Sequence, residues 1–135
     1  MSDAWNAFIQ RCESCTQCPL HENRTKVVIY RGAIEAPLMI IGEGPGREED
    51  LQGTPFVGRS GKLLDTALAG LGIPASLFHI ANIVKCRPPN NRKPTHAEAL
   101  ACRPLLQQQF RFVKPKIILL MGSAAYQFFT GDTNG

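Results

Sequence analysis

The sequence predicts an α/β fold, a three-layer sandwich in which a parallel sheet lies between helices. Three observations predict it. Short β-rich runs alternate with helical patterns along the whole chain. Residues 116–121 are apolar after Lys116, as in strands buried on both faces of a parallel sheet. Residues 38–41 feed directly into the glycine loop Gly42-Glu43-Gly44-Pro45-Gly46, the strand-to-loop transition typical of such folds.

The elements follow in order. Ala4, Trp5, Ala7 and Phe8 sit at helical spacing, with Ser2 or Asp3 available as a cap, so a short N-terminal helix is expected. Residues 26–30 and 38–41 are expected strands, separated by Gly32 and Pro37. A polar loop is expected over 47–59, then a helix over 61–72 whose positions 64, 67, 68 and 71 share a face and which Gly72 ends. Residues 78–84 form the next strand, followed by a proline-rich loop. A long helix begins near Thr95, where Glu98 completes a capping box, and runs to about Phe112 before Pro115. The strand 116–121 precedes a last helix, 123–129. Each crossover is expected to be right-handed.

The 135 residues suit a single domain over residues 1–135. With 44% hydrophobic and 19% charged residues the chain is neither a disordered tail nor a fibre. No apolar stretch approaches the roughly 20 residues of a membrane span, and Met1 opens no signal peptide, so a cytoplasmic protein with no membrane association is expected. Fifteen Lys and Arg against eleven Asp and Glu give +4, a mild excess compatible with an anionic partner such as nucleic acid.

Five cysteines make an odd number, which speaks against a disulfide framework and for metal or cluster ligation. Cys15-x-x-Cys18 with Cys86 and Cys102 offers four thiolates, suited to [4Fe–4S] or zinc. A structural zinc site more often closes with a second C-x-x-C, so the spacing favours the cluster, with zinc the alternative. Cys86 and Cys102 as plain core residues is a further reading. Cys12, one C-x-x-C step before Cys15, is the spare thiol.

The glycine loop fails the dinucleotide rule, because Arg47 stands where G-x-G-x-x-G needs glycine and no helix is expected to start at once. It still lets a ligand approach the backbone closely. Phe56 is an aromatic in a polar loop, suited to stacking on a base or to plugging the core. Asn82 places an amide in an apolar strand, suited to reading a ligand or to bonding the backbone. Lys85, Arg87, Asn90, Asn91, Arg92 and Lys93 crowd one loop, either a phosphate-contacting patch or a solvated loop. Glu43, Glu48, Glu49 and Asp50 place carboxylates around the glycine loop, and spacing does not choose among them.

Taken together, Cys15-x-x-Cys18-Pro19-Leu20, Gly42-Glu43-Gly44-Pro45-Gly46-x-x-Glu49-Asp50, Gly53-x-Pro55-Phe56-Val57-Gly58-x-x-Gly61 and Asn82-Ile83-Val84-Lys85-Cys86-Arg87-Pro88-Pro89 closely resemble the family-4 uracil-DNA glycosylases. The resemblance runs from about Cys15 to Phe129 and includes Asn91-Arg92-x-Pro94-Thr95. It implies a four-stranded parallel sheet, a [4Fe–4S] cluster on Cys15, Cys18, Cys86 and Cys102, and hydrolysis of the N-glycosidic bond of uracil in single- or double-stranded DNA by a monomer. A branch that traps its product carries an arginine- and histidine-rich insertion not seen after Cys86, so the hydrolytic branch fits better.

By the same resemblance Phe56 stacks on the flipped base, Asn82 reads its amide edge, and groups around Glu43 and Gly44 contact a uracil oxygen and shape the water site. Glu43 is the candidate for positioning water, although related glycosylases carry the acidic residue one place later, where Gly44 stands here. Lys85, Arg87 and Arg92 are the expected DNA contacts. The family also carries a His-Pro-Ser motif on a last strand, and no His-Pro pair occurs in this sequence. None of His21, His79 and His96 matches it, so all three read as structural. The expectation is therefore a chain shortened at its C-terminus, lacking the last parallel strand, and inactive or impaired by about 10²–10³ in rate. The alternative is a non-catalytic iron–sulfur module that binds nucleic acid.

Overall fold

A computed structural model of the chain describes residues 3–16, 19–22, 24–91 and 93–130. Helix α1 (Asp3–Glu13) leads through a turn at Pro19–Glu22 to strand β1 (Arg31–Gly32) and strand β2 (Leu38–Gly42). Helices α2 (Arg47–Gln52) and α3 (Arg59–Gly70) precede strand β3 (Phe78–Asn82), and helix α4 (His96–Val113), strand β4 (Ile117–Leu120) and helix α5 (Ser123–Thr130) complete the order. The sheet runs β1-β3-β2-β4. β2 is parallel to both β3 and β4, while the two-residue β1 is antiparallel to β3.

The side-chain period of the strands divides the core. Met39 and Ile41 of β2 and Ala81 of β3 pack with Trp5, Phe8 and Cys12 of α1, with Cys102, Leu105 and Leu106 of α4 and with Ala125 of α5. Ile40, Phe78 and Ile80 face the other way, onto Leu64 and Leu68 of α3. Helices on both faces of a largely parallel sheet are the sandwich expected from sequence. The described sheet differs from the fully parallel four-stranded one in that its fourth strand is the short antiparallel β1.

The strand expected over 26–30 is not formed as such. Val28 N donates to the Lys85 carbonyl (2.7 Å), and the Ile29 carbonyl accepts from Gln109 Nε2 (3.0 Å), so these backbone groups are committed before a ladder begins. The ladder is confined to Arg31 opposite Ile80 and Gly32 opposite His79. The polar loop expected over 47–59 contains α2, which starts at Arg47 directly after the glycine loop. Glu49 closes it by accepting from Gly46 N (2.9 Å), a helix signal carried by polar residues with no apolar stripe. The capping box of α4 is present as expected: Thr95 Oγ1 accepts from Glu98 N (3.1 Å) and Glu98 Oε1 from Thr95 N (2.8 Å).

Two departures concern burial. β4 pairs only with β2 among the described residues and alternates between exposed and half-buried positions, with Ile117 65% and Leu119 42% exposed. The uninterrupted apolar run thus lies at a sheet edge and is not covered on both faces. His79, read as structural, is fully buried, stacked on Tyr30 (4.9 Å between centroids, 7° between planes) and edge-on to Trp5. Its Nδ1 lies 2.8 Å from the Ala33 carbonyl, which can only accept, so Nδ1 carries the proton and Nε2 accepts from Gln109 Nε2 (2.7 Å). Burial, assisted by the charge of Lys85, lowers its pKa to about 4. No helix among the described residues is long and apolar enough to cross a membrane.

Two predictions follow from the core and the edge. Because the folded state holds His79 neutral, the unfolded chain binds the extra proton between pH 6.5 and about 4. Stability from this group is complete above pH 6.5 and is lost as pH falls toward 4. His79→Gln should remove that slope, an effect on the order of 2–3 kcal/mol across the window; urea titrations giving parallel pH profiles for both proteins would count against it. At the edge, Ile117→Lys should reduce concentration-dependent light scattering while changing stability by no more than about 0.5 kcal/mol.

Candidate active site

The parallel register sets Gly42, the last residue of β2, opposite Asn82, the last residue of β3. The pairing continues beyond both strands, with Ile83 N donating to the Gly42 carbonyl (2.8 Å) and Val84 N to the Glu43 carbonyl (3.2 Å). At this carboxyl end of the sheet a cleft of about 440 Å³ opens, lined by Glu43, Gly44, Phe56 and Asn82 together with Glu49 and Met121. All four residues that sequence assigned to the base site are therefore brought together.

Gly42 is required by this geometry. A Cβ there would run into the Phe56 ring and the Asn82 amide oxygen. Asn82 is 2% exposed, and Phe56, half-buried, lies against it across the glycine. Phe56 holds φ = 55°, the left-handed region that a bulky residue rarely occupies. Two groups hold it there. Arg31 donates from Nε to the Pro55 carbonyl (2.8 Å) and from Nη2 to the Phe56 carbonyl (2.8 Å), and its Nη2 also meets Asp65 Oδ1 (2.8 Å). On the other side Glu49 Oε2 accepts from Val57 N (3.0 Å) and Gly58 N (2.7 Å).

Sequence reasoning left Glu49 undifferentiated among four carboxylates and did not single out Arg31. The pattern Gly46-x-x-Glu49 was the available signal for the first. For Arg31, which reaches Pro55 and Phe56 from the far side of the sheet edge, sequence holds no signal.

Glu43 stands where both clefts of this region meet. A Cβ on Gly122, just after β4, would lie 3.9 Å from its Oε2. Glu43 and Gly44 also line an adjoining groove of about 330 Å³ with Pro88, Lys93, Pro94 and Ser123. A third hollow of about 390 Å³, lined by Leu100, Phe110, Phe128 and Phe129 of α4 and α5, holds none of the residues that sequence assigned to base, DNA or cluster binding.

Behind the cleft lies a region rich in sulfur. Cys86 follows β3 and is buried, Cys102 is buried on the inner face of α4, and Cys15, half-buried, comes just after α1. Cys102 Sγ accepts from Lys85 N (3.3 Å), and Cys86 Sγ accepts from Arg24 Nη1 (3.1 Å). N–H groups aimed at cysteine sulfur are what thiolate ligands of a metal centre take from their surroundings. Burial pushes the Cys102 thiol up to about 11, so loading such a centre would release protons. Cys12 is fully buried and is pushed up to about 12 by the same cause. Cys18 lies outside the described residues, and no group of three or more His, Cys, Asp or Glu side chains among the described residues is arranged to hold a single metal ion.

One expected DNA contact is corrected. Lys85 is 1% exposed, and its Nζ donates to the Asn82 carbonyl (3.0 Å). Burial lowers its pKa to about 8, with Cys102 and Cys12 opposing the shift. After β3 the Lys85 carbonyl accepts from Val28 N (2.7 Å), and with its side chain turned inward onto the strand end Lys85 has no ammonium exposed for a phosphate. Arg87 is half-buried on the same loop, and Arg92 lies outside the described residues.

Comparison with known proteins bears on this arrangement. The chain is 48% identical over 120 residues to a type-4 uracil-DNA glycosylase of Thermotoga maritima, covering 89% of this chain and 62% of the relative. It is 42% identical over 121 residues to that of Archaeoglobus fulgidus (90% and 61%) and 46% identical over 110 residues to that of Pyrobaculum aerophilum (82% and 56%). The chain thus spans about 60% of the length of these relatives. The family profile described as the uracil DNA glycosylase superfamily matches residues 29–134. That span takes in the glycine loop, Phe56 and Asn82, which the fold gathers at one end of the sheet, as well as the two later cysteines, and the chain belongs to the uracil-DNA glycosylase superfamily.

Proposed function

We propose that the protein carrying this chain is a uracil-DNA glycosylase of the type-4 kind, a hydrolase of base-excision repair that cleaves the N-glycosidic bond of uracil in single- or double-stranded DNA, as a monomer in the cytoplasm. The observation that carries this reading is the single cleft shared by Glu43, Gly44, Phe56 and Asn82 at the paired ends of β2 and β3.

A base inside a duplex cannot reach such a cleft, so the uracil must leave the stack. Phe56, held in one pose by Arg31 and Glu49, then offers a ring for its flat face. Asn82 offers a donor and an acceptor in one plane, the complement of the uracil amide edge. In the reaction the C1′–N1 bond breaks with its electron pair going to the base, and C1′ develops oxocarbenium character. A water oxygen adds to C1′ and gives up a proton, and the departing uracil anion takes up one proton from solvent, leaving an abasic site and free uracil. Glu43, at the junction of the two clefts, orients that water, and backbone groups near Gly44 face the uracil oxygen as charge develops on it. Arg87 and Arg92 are the phosphate contacts that the family resemblance implies, and the groove past Pro88 and Lys93 is the path for the strand.

Cys15, Cys18, Cys86 and Cys102 would hold a [4Fe–4S] cluster, and the all-sulfur donor set with N–H groups directed at Cys86 and Cys102 supports it. Bound by these four thiolates, a cluster would tie the N-terminal segment to the loop after β3 and to α4. Iron and acid-labile sulfide in equal amounts, four of each per chain, are expected from anaerobically purified protein; zinc in their place would overturn the ligand assignment.

The direct test uses the intact protein on oligonucleotides bearing one uracil, with free uracil as the readout. Excision is expected; tight binding to the same DNA without any release would favour a non-catalytic binding module. Asn82→Ala should lower kcat/KM by about 10–100-fold, the cost of leaving a buried hydrogen-bonding site unanswered. Phe56→Leu should lower it by a similar factor, chiefly through KM, because stacking is worth about 1–3 kcal/mol per base.

A further inference from the structure

We infer that Arg24 is a positioning residue for the iron–sulfur centre, holding the Cys15 and Cys86 ligands in register and supplying positive charge beside the sulfur. The inference rests on the cluster reading above and adds to it a residue outside the four thiolates.

One guanidinium makes three directed contacts in this region. Nη1 donates to Cys86 Sγ (3.1 Å) and to the Cys15 carbonyl (2.8 Å), and Nη2 donates to the Glu13 carbonyl (3.0 Å). Cys15 follows the end of α1, whereas Cys86 follows β3, so Arg24 joins two ligand segments that are 71 positions apart through a third stretch of chain. The planar fork of arginine suits this task, since a lysine ammonium cannot present the same fixed set of donors. Arg24 is half-buried, so its charge is less screened than that of a surface cation.

The chemistry fits a thiolate partner. Four thiolates leave an iron–sulfur centre with net negative charge, and reduction adds one more. A cation that donates a hydrogen bond to a ligating sulfur stabilises the reduced form more than the oxidised form, which raises the potential. Lys85 serves another sulfur, its backbone N–H donating to Cys102 Sγ (3.3 Å). The two basic residues therefore serve different ligands.

The test compares the intact wild-type protein with Arg24→Met and Arg24→Lys, each loaded anaerobically, by iron and sulfide content, iron release to a chelator and midpoint potential. Arg24→Met should release iron about 10–100-fold faster and have a more negative potential. Arg24→Lys keeps the charge and loses the fork, so its release should quicken while its potential stays nearer the wild type. A change in folding alone would not move the potential of centres that remain. Loaded Arg24→Met with wild-type release and potential would overturn the role of Arg24 while leaving the cluster reading intact. Wild-type protein that takes up no iron and sulfide would overturn the cluster reading and this inference with it. Should Arg24→Met fail to fold, Arg24→Lys decides: faster release supports the inference, and wild-type release overturns it.

Discussion

The site depends on one close approach. Parallel pairing of β2 with β3 sets Gly42 against Asn82, and the absence of a side chain at Gly42 lets the Phe56 ring and the Asn82 amide share the space above the sheet. A larger residue there would displace both at once. The apolar packing of Ile40 and Ile80 on α3 and of Ile41 and Ala81 on the opposite face fixes the register, since a slip of one residue would turn each of these side chains to the wrong layer.

Phe56 shows how the fold offsets an unfavourable local conformation. Its left-handed backbone costs on the order of 1–3 kcal/mol. The carbonyls of Pro55 and Phe56 are answered by Arg31 and the next two N–H groups by Glu49, four charge-assisted hydrogen bonds around one strained residue. Gly61 adds a close backbone contact, because a Cβ there would collide with the Phe56 carbonyl. The ring is thereby oriented before any ligand arrives, which reduces the ordering that binding would otherwise require.

Much of this was legible in the sequence where apolar period and cap chemistry coincide. The helix after the Phe56 loop, the capping box at Thr95 and the strand 78–82 are of that kind, because burial and local hydrogen bonding favour the same conformation. The cleft residues Glu43, Gly44, Phe56 and Asn82 were singled out by their motifs, and the fold brings them together. What escaped was governed by long-range partners. Residues 26–30 have strand composition, but Gln109 and Lys85 take up backbone groups at Ile29 and Val28. Lys85 has the composition of a surface cation in a basic loop, yet the turn after β3 carries it inside. β4 has the apolar content of a central strand and stands at an edge, a position that depends on neighbours and not on its own residues.

The inward turn of Lys85 has a consequence for how the two chemical regions relate. Its ammonium bonds the carbonyl of Asn82 while its own N–H bonds the sulfur of Cys102, so a single residue spans the distance between the cleft and the cysteine region. Sites joined through a shared partner are not energetically independent. Whatever free energy couples the sulfur side to the Asn82 pose through Lys85 must act by the same amount in each direction. The region is in this sense a two-ended lever whose fulcrum is the backbone between Asn82 and Cys86.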